Sequence, residues 1–443
     1  MFLVYSLLFV LGAVVLAPYY AWRYRKTSFL RKSWRERLGY LPRSMQAGQP
    51  GSIWVHAVSV GETLAVAGLV EALSARHPSR PIFMSHVTPT GREAGERRLP
   101  GIAGRFFLPL DLTGPLTRVV ERLRPSLLLI VETELWPNLL RVTHQSGARV
   151  ALVNARLSDR SLKGYRLFRP LMPRVLKNID WVLAQSPGDA ARFCEIGAAP
   201  ERVLPLGNLK FDSQPPASVG IVTALKSALA AARRSPVLVA ASTMPGEEEL
   251  VVRAWNEVRP RYPRALLILA PRHPPRFDQV GRLLDANRCD YVRRTSLAQS
   301  GRDITGQLAA PGVMLLDTLG ELSAFFDLAD AVFIGGSLVA TGGHNLLEPA
   351  WWGKAIIFGP HMENFRDAAR IFLDAGGAIE VPNASGLAVE ILRLFGDESR
   401  RKFIGQAALG AVRRESGATQ RILDHLSMML DEAAPSRQPE GER

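Results

Sequence analysis

Residues 52–73 read SIWVHAVSVGETLAVAGLVEAL. A short apolar run, SIWV, gives way to a turn and then to LAVAGLVEAL, whose spacing is helical. Gly61 and Glu62 fall where a strand passes into a helix. The same alternation continues outward. The runs PIFMSHV, RFFLPL, SLLLIVE, RVALVN, WVLAQS and RVLPLGN follow, each bounded by turn residues and separated by segments of helical length. Short continuous apolar runs are the signature of parallel strands buried on both faces. Strand and helix in alternation imply a parallel sheet with right-handed crossovers. The pattern breaks at SQPPASVG, residues 213–220, and restarts with PVLVAAS, ALLILAP, GVMLLD, AVFIGG and AIIFGP.

The reading is therefore two Rossmann-like, doubly wound α/β domains, residues 50–212 and 236–432, joined by a linker at 213–235. The helix TQRILDHLSMMLDEA closes the second domain, and a polar tail, 433–443, is expected to be disordered. Ligands of such sheets bind beyond the carboxyl ends of the strands, so the expectation is a site in a cleft between the two sheets.

The chain has 443 residues, too many for one ordinary core, in keeping with two domains. Its two cysteines, Cys194 and Cys289, form neither a disulfide framework nor a zinc pattern and fit a reducing compartment. The formal net charge of +14 points to an anionic partner: nucleic acid, an acidic membrane face or a phosphorylated substrate. Residues 2–21, FLVYSLLFVLGAVVLAPYYA, carry no charge, and about 20 apolar residues suffice to span a bilayer. Residues 1–22 are thus expected to be a transmembrane anchor. The basic segment 23–49 would follow on the cytoplasmic side by the positive-inside rule, where its charge would attract anionic lipid. A cleaved signal peptide would want positive charge ahead of the apolar run, and there is none.

Five segments could carry chemistry. In the opening stretch, Gly61 would admit an unusual backbone conformation or a close ligand. Glu62 stands in a first helical turn, where the helix dipole favours a carboxylate, so a cap and a general base are both open readings. In IVETELWPNLL, Glu132 and Glu134 would share one side if the strand continued. In LGNLKFD, Lys210 follows the last strand of the first domain. In LILAPRHPPRF, a strand ends at Pro271-Arg272-His273, and an arginine fork suits phosphate or carboxylate. The stretch FIGGSLVATGGHNLLEPAWWGKAIIFGPHMENF holds Gly335-Gly336 and Gly342-Gly343 ahead of a helix, with Asn345 placed as N-cap and Glu348 just inside. No Walker loop, no G-x-G-x-x-G fingerprint, no Asp-x-Asp pair and no metal-ligand spacing of histidines occurs.

Together these segments resemble one family, the 3-deoxy-D-manno-octulosonic acid (Kdo) transferases of lipopolysaccharide synthesis. The resemblance rests on WVHAVSVGET, SHVTPTGREAGERRL, PLDLTGPLTRVVERLRPSLLLIVETELWPNLL, VNARLSDRSLKGYRLF, GNLKFD, APRHPPRF, DTLGELSAFF and GGSLVATGGHNLLEPA, in order along nearly the whole chain. It implies a GT-B glycosyltransferase moving Kdo from CMP-Kdo to the tetraacylated lipid A precursor with inversion. It implies no cofactor, no metal and no nucleic acid, at the cytoplasmic face of a Gram-negative inner membrane. It implies Glu62 as proton acceptor and Glu132 and Lys210 as transition-state stabilisers. The CMP site it implies is Pro271, Arg272, Gly320, Glu321, Leu322, Asn345, Leu346, Leu347 and Glu348. Two other readings compete: another GT-B enzyme, either a nucleotide-sugar epimerase, for which an anchor would be idle, or a different membrane-associated transferase; and a non-enzymatic, membrane-tethered binder of anionic lipid or nucleic acid, which leaves the glycine loops and carboxylates unexplained.

Overall fold

The computed structural model describes residues 1–23, 29–42, 45, 50–213, 220–299 and 304–432. It divides into two compact units, Met1–Asp212 with Ser416–Arg443, and Ser213–Glu415. The SQPPASVG linker and the polar tail lie largely or wholly outside the described residues.

The first unit holds seven strands: β1 (Ser52–His56), β2 (Ile82–His86), β3 (Gly104–Phe107), β4 (Pro125–Val131), β5 (Arg149–Ala155), β6 (Trp181–Ala184) and β7 (Val203–Pro205). All pair in parallel, in the order β3-β2-β1-β4-β5-β6-β7. Trp54, Phe83 and Leu128 enter the core on one face of this sheet; Ile53, Val55, Met84 and Leu129 enter it on the other. Burial on both faces is why these strands read as unbroken apolar runs. Each fully buried aliphatic side chain contributes about 1.5–3 kcal/mol relative to exposure.

The second unit holds β8 (Val237–Thr243), β9 (Leu266–Pro271), β10 (Tyr291–Arg293), β11 (Val313–Leu315), β12 (Ala331–Ile334), β13 (Ala355–Phe358) and β14 (Ala378–Glu380). They pair in parallel in the order β10-β11-β9-β8-β12-β13-β14. Five of the seven match the apolar runs of the sequence. The two missed, β10 and β14, are three-residue edge strands with partly exposed side chains.

Two expectations need correction. The last helix, Ala418–Glu432, does not close the second domain. Ala418, Ile422, Leu426 and Leu430 are buried in the core of the first unit, on the side of Ile53 and Val55. The Asp212 carboxylate accepts the N–H groups of Gly417 and Thr419 at the entry to this helix, as an N-terminal cap does.

The second correction concerns the anchor. Residues Phe2–Arg23 do form a helix, but among the described residues no helix is long and apolar enough to cross a membrane. The start of this helix is seated on the first unit. Met1 packs on its core, the Tyr5 hydroxyl bonds the buried Asp111, and Asn138 Nδ2 donates to Ser6 Oγ at 3.0 Å. The Arg141 guanidinium lies 4.8 Å from the Phe2 ring centroid. A helix whose first turns rest on the domain that follows it does not carry those turns across a bilayer from that domain. Removing residues 1–22 is therefore expected to lower the melting temperature of the protein, measured by thermal unfolding. Partners lost by a buried polar group cost about 1–3 kcal/mol, and each kcal/mol moves Tm by about 2–4 °C in a domain of this size. An unchanged Tm would show that the docking adds nothing.

Candidate active site

In the first sheet the strand order reverses between β1 and β4, the position where doubly wound folds bind ligands. Glu62 follows β1 and Glu132 follows β4 directly. Ser59 is the N-cap of the helix Val60–Arg76 and accepts the Glu62 N–H at 3.3 Å. The Ser59 hydroxyl donates to Glu62 Oε1 at 2.8 Å, and the Val58 N–H donates to Oε2 at 2.8 Å. The cap and the candidate carboxylate are thus one device, a Ser-x-x-Glu variant of the capping box in which the acid accepts from the Val58 N–H and the Ser59 hydroxyl.

Burial pushes the Glu62 carboxyl up to about 7, against the pull of the Val58 and Ser59 hydrogen bonds and with further push from the charges of Glu132 and Glu134. The helix end alone therefore does not keep this acid fully ionised; it offsets part of the desolvation. Beneath it, His56 is fully buried and pushed down to about 3, and His86 to about 4, by burial first. Both imidazoles are neutral near pH 7, so no cation on them compensates Glu62. Gly61 does not use the conformational freedom of glycine: its φ is ordinary, and a side-chain carbon there would meet only Ser59 Oγ, at 3.9 Å. Gly91 is the glycine this loop needs, because a Cβ on it would stand 2.9 Å from the Val58 carbonyl.

Glu132 and Glu134 do not alternate along a continuing strand. β4 ends at Val131, and Glu132 adopts φ +60°, a left-handed conformation costly for a non-glycine residue. That turn sends its carboxylate to Lys210, whose Nζ lies 3.2 Å from Oε1. Glu134 instead accepts the Trp136 indole N–H at 2.9 Å. Lys210 sits on a 3₁₀ turn, Leu209–Asp212, held from below. Asn154, buried at the end of β5 with φ +53°, accepts the Leu209 N–H at 3.0 Å. Gln185 Nε2 donates to the Asn154 carbonyl, Asn208 Nδ2 donates to Gln185 Oε1, and Asn208 Oδ1 accepts the Lys210 N–H, each at 3.0 Å.

In the second sheet the order reverses between β8 and β12. Pro271 ends β9, and Arg272 and His273 follow it in exposed positions. The Arg272 N–H is fixed to the Thr243 carbonyl at 3.0 Å. Gly320 takes φ +83° ahead of Glu321 and Leu322. The Glu321 carboxylate is already paired, with Arg294 at 2.8 Å and the Thr318 hydroxyl at 2.6 Å.

The glycine loops differ from expectation. Asn345 does not cap the next helix, which runs over Leu347–Trp351 with Leu346 at its N-cap. Its Oδ1 accepts the Leu347 N–H at 3.0 Å, an Asx turn, and its Nδ2 donates to Glu348 Oε1 at 3.0 Å. Gly342 and Gly343, both at positive φ, lie where side-chain atoms would collide with Asn364 and Met362, so they serve close packing rather than an open cradle. Nor are the N–H groups after Gly335 free: those of Gly336, Ser337 and Leu338 all donate to the buried Glu247 carboxylate. His344 packs on Gly336, and burial first, then the charges of Arg272 and His273, push its imidazole down to about 4.

Residues 32–213 match the family described as 3-deoxy-D-manno-octulosonic-acid transferase (kdotransferase). A 3-deoxy-D-manno-octulosonic acid transferase of Bordetella pertussis is 37% identical over 94% of this chain and 97% of its own length. The chain belongs to the Kdo transferase family. It is a glycosyltransferase. A Haemophilus influenzae transferase of the same name is 31% identical over 92% of this chain and 93% of its own. A glycosyltransferase from Rickettsia africae, 13% identical, matches 88% of this chain and 100% of its own with a TM-score of 0.58, a likeness of fold.

In this Kdo transferase the structure brings Glu62, Glu132, Glu134 and Lys210 into one neighbourhood of the first unit, and gathers Arg272, His273 and His344 in the second. Sequence reading missed three residues. Ser59 was visible as the first member of Ser-x-x-Glu. Asn154 stood inside VNARLSD as an Asn at a strand end. Glu247, one of three glutamates after β8, reads as an ordinary acidic first turn.

Proposed function

We propose that this Kdo transferase moves Kdo from CMP-Kdo to a sugar hydroxyl of the lipid A precursor, with inversion and without a metal, in lipopolysaccharide synthesis. The observation that carries the reading is the trio at the first switch point: a half-buried acid with a pKa near 7, Glu62, beside the Glu132–Lys210 pair. A general base works best when its pKa lies near the operating pH.

In this reading the acceptor oxygen attacks the anomeric carbon of Kdo as its proton passes to Glu62. The carbon–oxygen bond to the phosphate breaks, and CMP leaves with the electron pair. The first unit receives the proton, and Lys210, oriented by Glu132, meets the negative charge of the sugar carboxylate or the phosphate. The second unit holds CMP. Arg272 takes the phosphate through its guanidinium fork, Pro271 and the Gly320–Leu322 turn flank the nucleotide, and Glu348, oriented by Asn345, takes ribose hydroxyls. A phosphate monoester steadied by an arginine needs no divalent ion to leave. The outward apolar side chains of the first helix, among them Leu3, Leu7, Leu8, Val14 and Val15, would lie against inner-membrane lipid at the cytoplasmic face without crossing it.

The test is to mix purified protein, CMP-Kdo and lipid A precursor in detergent with EDTA and to weigh the lipid. A gain of one or more Kdo masses is expected. An unchanged lipid mass rejects the reaction; activity restored only by added metal rejects the metal-free step.

Turnover should rise with pH along an acid limb near pH 7, because a base must be ionised and Glu62 ionises there. Ser59→Ala removes a hydrogen bond that favours the ionised form, so the limb should move to higher pH. Ser59→Thr, which keeps the hydroxyl, should restore it. A pH–rate profile unmoved by Ser59→Ala would detach the cap from the base.

A further inference from the structure

The anion nest of the second unit is already full. Glu247 opens the helix Glu247–Val258, directly after β8, and its side chain is 0% exposed. Its carboxylate accepts the Gly336 N–H at 2.6 Å, the Leu338 N–H at 2.9 Å, the Ser337 N–H at 3.0 Å and the Met244 N–H at 3.1 Å. Three consecutive backbone N–H groups after a strand, at a switch point, form the kind of concavity that elsewhere in doubly wound folds receives a phosphate. Here a side chain of the protein takes that place.

Glu248, next to it, is also fully buried and pairs with Arg276 at 2.9 Å. That pairing holds the Arg276 guanidinium on both Glu248 oxygens, so this cation is not left over for a further anion. Beside the filled nest stand Arg272, whose guanidinium has no acidic partner among the described residues, and His344. The Nε2 atom of His344 is buried with no hydrogen-bond partner among the described residues. Those two groups offer a cation and a ring nitrogen, unpaired among the described residues, beside the filled nest.

We propose that Glu247 sets the phosphate count of the donor: it occupies the nest that a diphosphate would need, so the second unit accepts a nucleoside monophosphate leaving group and gains nothing from a second phosphate. The inference rests on the reading that the second unit binds the donor nucleotide.

Calorimetry on the full chain in detergent, with cytidine, CMP and CDP as ligands, tests it. CMP is expected to bind about 10-fold or more tighter than cytidine, and CDP no tighter than CMP. Glu247→Ala, which empties the nest, should raise the affinity of CDP relative to CMP by about 10-fold. Glu247→Gln, which leaves the nest filled but turns an NH2 group toward two of its N–H donors, should raise it less than Glu247→Ala does. CDP binding the unaltered protein about 10-fold tighter than CMP overturns the proposal whether or not the variants fold. So does an unchanged CDP-to-CMP ratio in a variant that unfolds cooperatively. CMP binding no tighter than cytidine would instead overturn the donor reading, and the inference with it.

Discussion

Glu62→Gln is expected to lower kcat by about 10²–10⁴-fold, the range of a lost general base, with little change in Tm or in CMP affinity. The isosteric amide keeps the shape of the capping box. Its oxygen still accepts from either Val58 N–H or Ser59 Oγ, so the helix Val60–Arg76 keeps its start. What disappears is a site for the acceptor proton. The substitution also relieves the first unit of one buried carboxylate near Glu132 and Glu134, so stability should hold or rise slightly. Steady-state rates between pH 5 and 9, with Tm and CMP titration on the same preparation, check all three. Near wild-type kcat would remove Glu62 from the chemistry. A large fall in Tm would make it a cap and no more.

The parts of the molecule legible in sequence are those whose physics is local. β1, β2, β4 and β5 announce themselves because both sheet faces are buried there and the runs are therefore mainly apolar, whereas the edge strands β3 and β7 are partly exposed. The junction at Gly61-Glu62 was legible because strand and helix periods meet there. The last helix reads as part of the second domain, and lies in the first, for a physical reason. The stripe Ala418, Ile422, Leu426, Leu430 says that one face is buried, not against which core. Its destination is set by the Asp212 cap, some two hundred residues away in sequence. Glu132 defeated an argument from strand alternation because one left-handed residue ends the strand. The glycine loop at 335–338 defeated an argument from free N–H groups because their partner, Glu247, is nearly ninety residues distant. A nest can be read from sequence; its occupant cannot.

The second large effect belongs to the Glu132–Lys210 pair, and it separates two roles by sign. Lys210→Met is expected to lower kcat by about 10²–10³-fold, the loss of one preorganised charge aimed at a developing anion. It also strips Glu132 of its cation, so the carboxylates around Glu62 repel one another more. The acid limb of the pH–rate profile should then move to higher pH. Glu132→Gln removes one of the charges that raise Glu62, so its limb should move to lower pH. It leaves Lys210 unoriented, and kcat at the plateau should still fall. If Lys210 acted only as structure, both variants would change Tm while kcat at the plateau stayed near that of the unaltered protein. Asn154→Ala offers the control between these cases: it removes the acceptor of the Leu209 N–H and loosens the turn carrying Lys210 without touching any charge. Its expected result is a lower kcat with the acid limb unmoved. The same network then accounts for the strained φ values at Glu132 and Asn154: two adjacent strand ends are bent so that a lysine and a glutamate 78 residues apart in sequence meet at the switch point.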